Sequence, residues 1–165
     1  MFELKPISRE AIPAALEKAM RYRLLNEPGE AESICLDVLR IEPANQQALV
    51  MLVLAVSDRF GKDYAISDTQ ADRVVAELAD PYKRAYFSGI ICERKGKVVL
   101  GRGRPGAGFD AHNWFREAMT WFEKAETMRP AGNDDALLHW NACARIIMRN
   151  NLEPRPRDER EPGLE

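Results

Sequence analysis

The sequence is short of the residues on which most metal, disulfide and redox chemistry is built. Three cysteines, Cys35, Cys92 and Cys143, and two histidines, His112 and His139, occur in 165 residues. The cysteines are far apart, odd in number and set inside apolar helical patterns. That excludes a disulfide framework and a zinc spacing, and predicts reduced, buried thiols in a reducing compartment. Neither histidine has a cysteine or carboxylate at ligand spacing, so neither a metal nor a cofactor is expected. The acidic "NDD" at 133–135 suits a helix N-terminus better than a calcium loop. Long apolar runs are missing as well. The longest, "ALVMLVLAV" at 48–56, has nine residues, too few to cross a bilayer. The start, "MFELKPISRE", has no apolar signal core. The expected setting is cytoplasmic, without membrane contact. Catalytic constellations are absent in the same way. There is no nucleophile elbow and no Ser-His-Asp order, and Glu117 and Glu123, six apart, do not share one helix face. The chain is not expected to be an enzyme.

What is there is an ordinary globular composition, 45% apolar and 30% charged, with a formal net charge of −2. The charge is unevenly spread. Residues 1–80 carry 9 Lys/Arg against 14 Asp/Glu, and residues 81–165 carry 15 against 12. The basic excess lies in 81–113, where Lys83, Arg84, Arg94, Lys95, Lys97, Arg102 and Arg104 face only Glu93 and Asp110. Such a cluster either attracts an acidic partner or forms a solvated loop. The overall acidity argues against nucleic-acid binding.

The punctuation is helical throughout. Residues 9–26 place Ile12, Leu16, Met20 and Leu24 four apart, as one stripe, with Ser8 as a cap and Pro13 either near the first turn or marking a bend. Residues 30–41 put Ala31, Ile34, Cys35, Val38 and Leu39 on one face. The helix 46–59 is apolar nearly all round, which predicts neighbours on every side. Ser67 with Gln70 reads as a capping box opening a helix to about Ala79, with Ala71, Val74, Val75 and Leu78 inward. "DP" at 80–81 starts the next helix, expected to end near Lys95. A glycine-rich insertion over 96–109 follows. Asp110 is expected to cap a helix over 111–128, and Asn133 or Asp134 another over 135–150. The aromatic residues Trp114, Trp121 and Phe122 are expected in the core. Residues 153–165, rich in proline and charge, read as a disordered tail.

Within the insertion, Gly101, Gly103 and Gly106 have the G-x-G-x-x-G spacing of a dinucleotide loop. That fingerprint needs a strand before it and a helix directly after it. Here a helix precedes it, and "KVVL" has no strand to pair with. The expected role is structural: the glycines fold the insertion back so that Val98, Val99, Leu100 and Phe109 are buried. The alternative is a functional loop, 94–108, in which Arg102 and Arg104 meet an anionic ligand or a carboxylate.

Two stretches repeat a pattern. In "AESICLDVLRIEPANQQAL" (31–49) and "AMTWFEKAETMRPAGNDDAL" (118–137), alanine is followed at fixed intervals by Cys35 or Phe122, by Val38 or Ala125, and by Pro43 or Pro130. A small residue lets helices approach, a larger one fills the next gap, and proline ends the helix. This pattern resembles the tetratricopeptide repeat, a two-helix unit. Tyr22, Ala31 and Pro43 carry the match in a first unit, and Gly89, Gly96, Ala118, Phe122, Ala125 and Pro130 in a third. Ala15 and Ala85 replace the family's first-helix tryptophan, and the second unit is degenerate.

The resemblance implies an all-α fold: a right-handed stack of antiparallel helix pairs, about seven helices over residues 1–152. The units would be 9–44, 45–80 and 81–131, with a capping helix at 134–150. It also implies a protein- or peptide-binding module whose concave face is lined by the first helix of each pair. On this chain that face would present Arg21, Gln46, Arg84 and Asn141, with Arg94, Lys97, Arg102 and Arg104 from the basic segment beside it, suited to an acidic partner. The alternatives are anionic-ligand binding by the loop and a structural subunit of a homodimer, whose groove is filled by its own tail or by a second copy.

Overall fold

Prolines and amide or carboxylate caps set the helix starts. The computed structural model describes residues 1–62 and 68–157. Among them, after a 3-10 turn at Arg9–Ala11, run seven α-helices: α1 (Ile12–Leu24), α2 (Pro28–Ile41), α3 (Gln46–Asp58), α4 (Asp68–Ala76), α5 (Pro81–Arg102), α6 (Ala107–Glu126) and α7 (Asp135–Arg149). Pro13, Pro28 and Pro81 each occupy a first turn, where a missing N–H costs nothing. Asn45 accepts a hydrogen bond from Ala48 N (2.9 Å), Asp80 from Tyr82 N (2.9 Å), and Asn133 from Asp135 N (3.1 Å). The expected Ser67–Gln70 capping box falls outside the described residues. Ser8 precedes the 3-10 turn without making a side-chain cap.

Each helix packs on its successor, and α1 also meets α3, α3 meets α5, and α5 meets α7. The all-apolar α3 is enclosed as expected, with Leu49, Leu52, Val53 and Val56 buried among α1, α2, α4 and α5. Ala31, Cys35 and Val38 of α2 are buried, as are Ala71, Val74, Val75 and Leu78 around α4. One continuous core runs from Ala19 to Cys143, and a smaller cluster joins Ile12, Leu16, Val38 and Ala48.

The glycine-rich insertion is corrected by the structure. No long loop spans 96–109. Helix α5 continues to Arg102, α6 starts at Ala107, and only Gly103–Gly106 turns the chain. Asp110 therefore lies in the first turn of α6 instead of capping it. The reason is the partner surface. A Cβ on Gly89 would lie 2.5 Å from Phe122, and one on Gly96 would lie 3.0 Å from Phe115. Glycine in a helix costs about 1 kcal/mol, but here two glycines seven apart admit two fully buried phenylalanines seven apart. The α5–α6 pairing is accordingly the most extensive in the molecule. Gly103 (φ 60°) and Gly106 (φ 79°) adopt the left-handed backbone that makes the tight turn. Val98, Val99 and Leu100 do pack against the core, but from a helix.

The aromatic expectation is also refined. Phe115 and Phe122 are core residues, whereas Trp114 and Trp121 are half-buried at its edge, each beneath a lysine (Lys95 at 4.9 Å, Lys124 at 5.2 Å). All three cysteines are free and buried, and burial pushes each thiol up to about 12.

These contacts predict opposite effects for two similar substitutions. Gly89→Ala should destabilise by about 1–3 kcal/mol, because Phe122 has no room to yield. Gly101→Ala, with open space around the added methyl, should stabilise by about 0.5 kcal/mol. Urea unfolding of both variants measures the difference, and equal effects would refute the close-approach account.

Candidate binding face

Helices α1 and α3 lie against each other, and their outer flanks leave a groove. On α1, the positions Pro13, Leu16, Glu17 and Met20 follow helical spacing. On α3, so do Gln46, Gln47, Val50 and Met51. Lys83, in the first turn of α5, closes one end. The groove encloses about 380 Å³ and is mainly apolar. Met20 is 49% exposed, and Leu24, one turn on, is 80% exposed.

The sequence put Met20 and Leu24 into a buried stripe with Ile12 and Leu16. Residues four apart advance about 40° around an α-helix, so three steps turn the stripe by roughly 120°. Ile12 and Leu16 face inward, Ala19 takes the buried position on the next turn, Met20 is rotated out to the groove's edge, and Leu24 lies exposed beyond it.

Of the eight residues expected to meet a partner, one lines this groove. Gln46 does, but it is also a structural tie: its Oε1 accepts from Ala79 N (2.9 Å) and its Nε2 donates to Ala44 O (2.9 Å). Arg21 is exposed beside it and pairs with Glu17 at 2.6 Å. Arg84 faces the other way, donating to the carbonyls of Leu78 (2.6 Å) and Ala79 (3.0 Å) and so closing the end of α4. Asn141 lines a separate shallow cleft between α6 and α7, beside Trp140, whose Nε1 donates to Glu123 (2.9 Å). Arg102 and Arg104 are exposed at the α5–α6 turn.

Arg94 and Lys97 are engaged inside the molecule. Arg94 donates to Leu54 O (2.9 Å) and Ser57 Oγ (2.5 Å) and meets Asp58 Oδ1 at 2.8 Å. Asp58 in turn receives Arg23 of α1, Nε at 2.7 Å and Nη2 at 3.2 Å. One carboxylate thus joins α1, α3 and α5. Burial pulls the Arg94 guanidinium below the usual arginine value, while the Asp58 carboxylate opposes that shift. A second tie runs from Arg59 to Glu32 of α2.

Lys97 belongs to a cluster that the sequence reading missed. Glu93, the lone acid in the basic stretch of α5, is 2% exposed. His139 Nδ1 donates to its Oε2 (3.0 Å), Lys97 Nζ lies 3.4 Å from Oε1, and Cys143 Sγ 3.8 Å from the same oxygen. Tyr86 packs edge-on against the imidazole. The signal was present: Glu93 lies four residues after Gly89 and three before Gly96, on the face those glycines bury. Desolvation alone would raise its pKa, but the hydrogen bond from His139 and the charge of Lys97 outweigh it. They hold the carboxyl below the usual value. The arrangement docks α7 on α5. With the Cys143 thiol fully buried and protonated, it offers no nucleophile.

Among the described residues no helix is long and apolar enough to cross a membrane, and no group of three His, Cys, Asp or Glu is placed to hold a metal ion. The fold and the face together define an all-helical protein with an apolar groove between its first and third helices. Comparisons with protein-family profiles, with curated proteins and with solved structures found no match to this chain.

A carboxyl held below its usual value stabilises the fold above the unfolded-state value and loses that contribution as the pH falls through the folded-state value. Glu93→Gln should therefore lower stability at pH 7 by about 1.5–3 kcal/mol, and the gap from wild type should close as the pH falls below the unfolded-state carboxyl value and through the lower folded-state one. Thermal melts across that range test it, and a gap independent of pH would contradict an ionised Glu93.

Proposed function

We propose that the protein is a binding module, not a catalyst, and that it holds an extended segment of a protein or peptide in the α1–α3 groove. The observation that carries this reading is the groove itself. It has an apolar floor, a methionine at its edge, and one acid and one base at its rim, Glu17 and Lys83. Methionine suits such a surface because its unbranched, polarisable side chain adapts to differing partners. The apolar strip continues past the groove to Leu24, and contiguous exposed apolar surface marks an interaction site.

The pairing of α1 with α3, α3 with α5 and α5 with α7 supports a tetratricopeptide-like stack. In such a stack the odd-numbered helices line the hollow face, and the groove lies between two of them. The reading of an anionic-ligand site near residues 94–108 rests on Arg102 and Arg104, since Arg94 and Lys97 already have carboxylate partners.

Display-based peptide selection on the full chain tests the proposal. The expected peptides carry two large apolar residues spaced to lie on one side of an extended chain. Met20→Glu should weaken their binding at least tenfold without altering the thermal midpoint, because Met20 is outside the core. Selected peptides that bind wild type and Met20→Glu equally would remove the groove as the site.

A further inference from the structure

We propose that the groove is occupied by the N-terminal arm, residues 1–6, of a second copy of this chain. This rests on the reading of the groove as a seat for an extended segment, and it names the segment.

Residues 1–8 form no helix. Ile7 anchors them, packing beside Ile12, Leu16, Val38 and Ala48. Beyond that anchor the arm is unsupported. Phe2 is 101% exposed and Leu4 68% exposed. Proline at position 6 fixes its own φ and biases Lys5 towards extended backbone. In an extended chain alternate side chains point to opposite sides. Phe2 and Leu4 therefore share one side, and Glu3 and Lys5 share the other.

That pattern complements the groove. Phe2 and Leu4 match a floor made by Leu16, Val50 and Met51, with Met20 at its edge. With Phe2 and Leu4 turned to the floor, Glu3 and Lys5 face out of the groove and keep their charges in solvent, above a rim that carries Lys83 and Glu17. Six extended residues reach about 20 Å, and Pro13 to Met20 spans about 10 Å along α1, so the arm is long enough to fill the groove. No arm residue lines the groove of its own chain. Exchange between two copies gives each an arm to donate and a groove to fill, which closes as a two-fold dimer.

The experiment measures the solution mass of the full chain by sedimentation and light scattering over rising concentration. The expected mass rises towards twice that of one chain. Phe2→Asp with Leu4→Asp, and separately Met20→Glu, should each stay at the mass of one chain with unchanged thermal midpoints. Mixed together, these two variants should regain association, because one intact arm then meets one intact groove. A synthetic peptide of residues 1–8, MFELKPIS, should bind the arm-substituted chain and lose at least tenfold in affinity on Met20→Glu. A wild type of single-chain mass at every concentration overturns the proposal, as does a dimer indifferent to the arm substitutions, or cross-links from the arm to its own groove. If display-selected peptides still need Met20 while the wild type stays a single chain, the arm is the wrong occupant and the groove reading stands. If Met20→Glu changes neither peptide binding nor mass, the groove reading itself fails.

Discussion

The contact on which the rest of the molecule depends is the close approach of α5 and α6. It exists because Gly89 and Gly96 carry no side chain where Phe122 and Phe115 enter. Protein interiors are packed as densely as organic crystals, so a methyl group at Gly89 would displace the Phe122 ring and one at Gly96 would press on Phe115. With the rings seated, α5 continues unbroken over 22 residues. Helices α3, α4, α6 and α7 all pack on it. Its amino-terminal turn brings Lys83 to the groove, its middle presents Glu93 to α7, and its far flank sends Arg94 to α3.

The buried and half-buried charges then act as fasteners more than as chemistry. Asp58 accepts from arginines on two different helices, and Glu93 accepts from a histidine on a third. Buried ion pairs contribute little net stability compared with apolar replacements, but losing one partner leaves a charge stranded. They therefore fix which helix meets which. The basic segment that looks, in one dimension, like a landing site for anions is largely consumed in this way. Arg84 closes a helix end, Arg94 and Lys97 pair with carboxylates, and Lys95 lies over Trp114 near Asp72.

Much of the helical layout was legible in the sequence, for local reasons. Prolines and capping residues mark starts, and the inward faces of α2 and α4 follow directly from their spacing. The stretch 96–109 was not, because glycine taken alone signals a break. The meaning of Gly96 changes because Phe115 lies opposite, and that partner is 19 residues away. The groove was legible only through Gln46. The eye follows a four-residue spacing as if it were a straight line, yet the helix rotates beneath it, and so Met20 was assigned to the interior. Glu93 was passed over because a charge between lysines and arginines resembles a solvated face. Its register relative to the two glycines tells otherwise.

One consequence of the Asp58 junction concerns how the chain comes apart. Where each helix leans mainly on its neighbours, the ends ordinarily fray first and independently. Here Arg23 near the end of α1 is bound through Asp58 to Arg94 in α5, across 71 positions of the chain. Peeling the leading helix away takes Arg23 from Asp58 and leaves that carboxylate to Arg94 alone. Opening at the amino end is thereby felt in α3 and α5, and the first helix does not come loose independently of the middle of the fold.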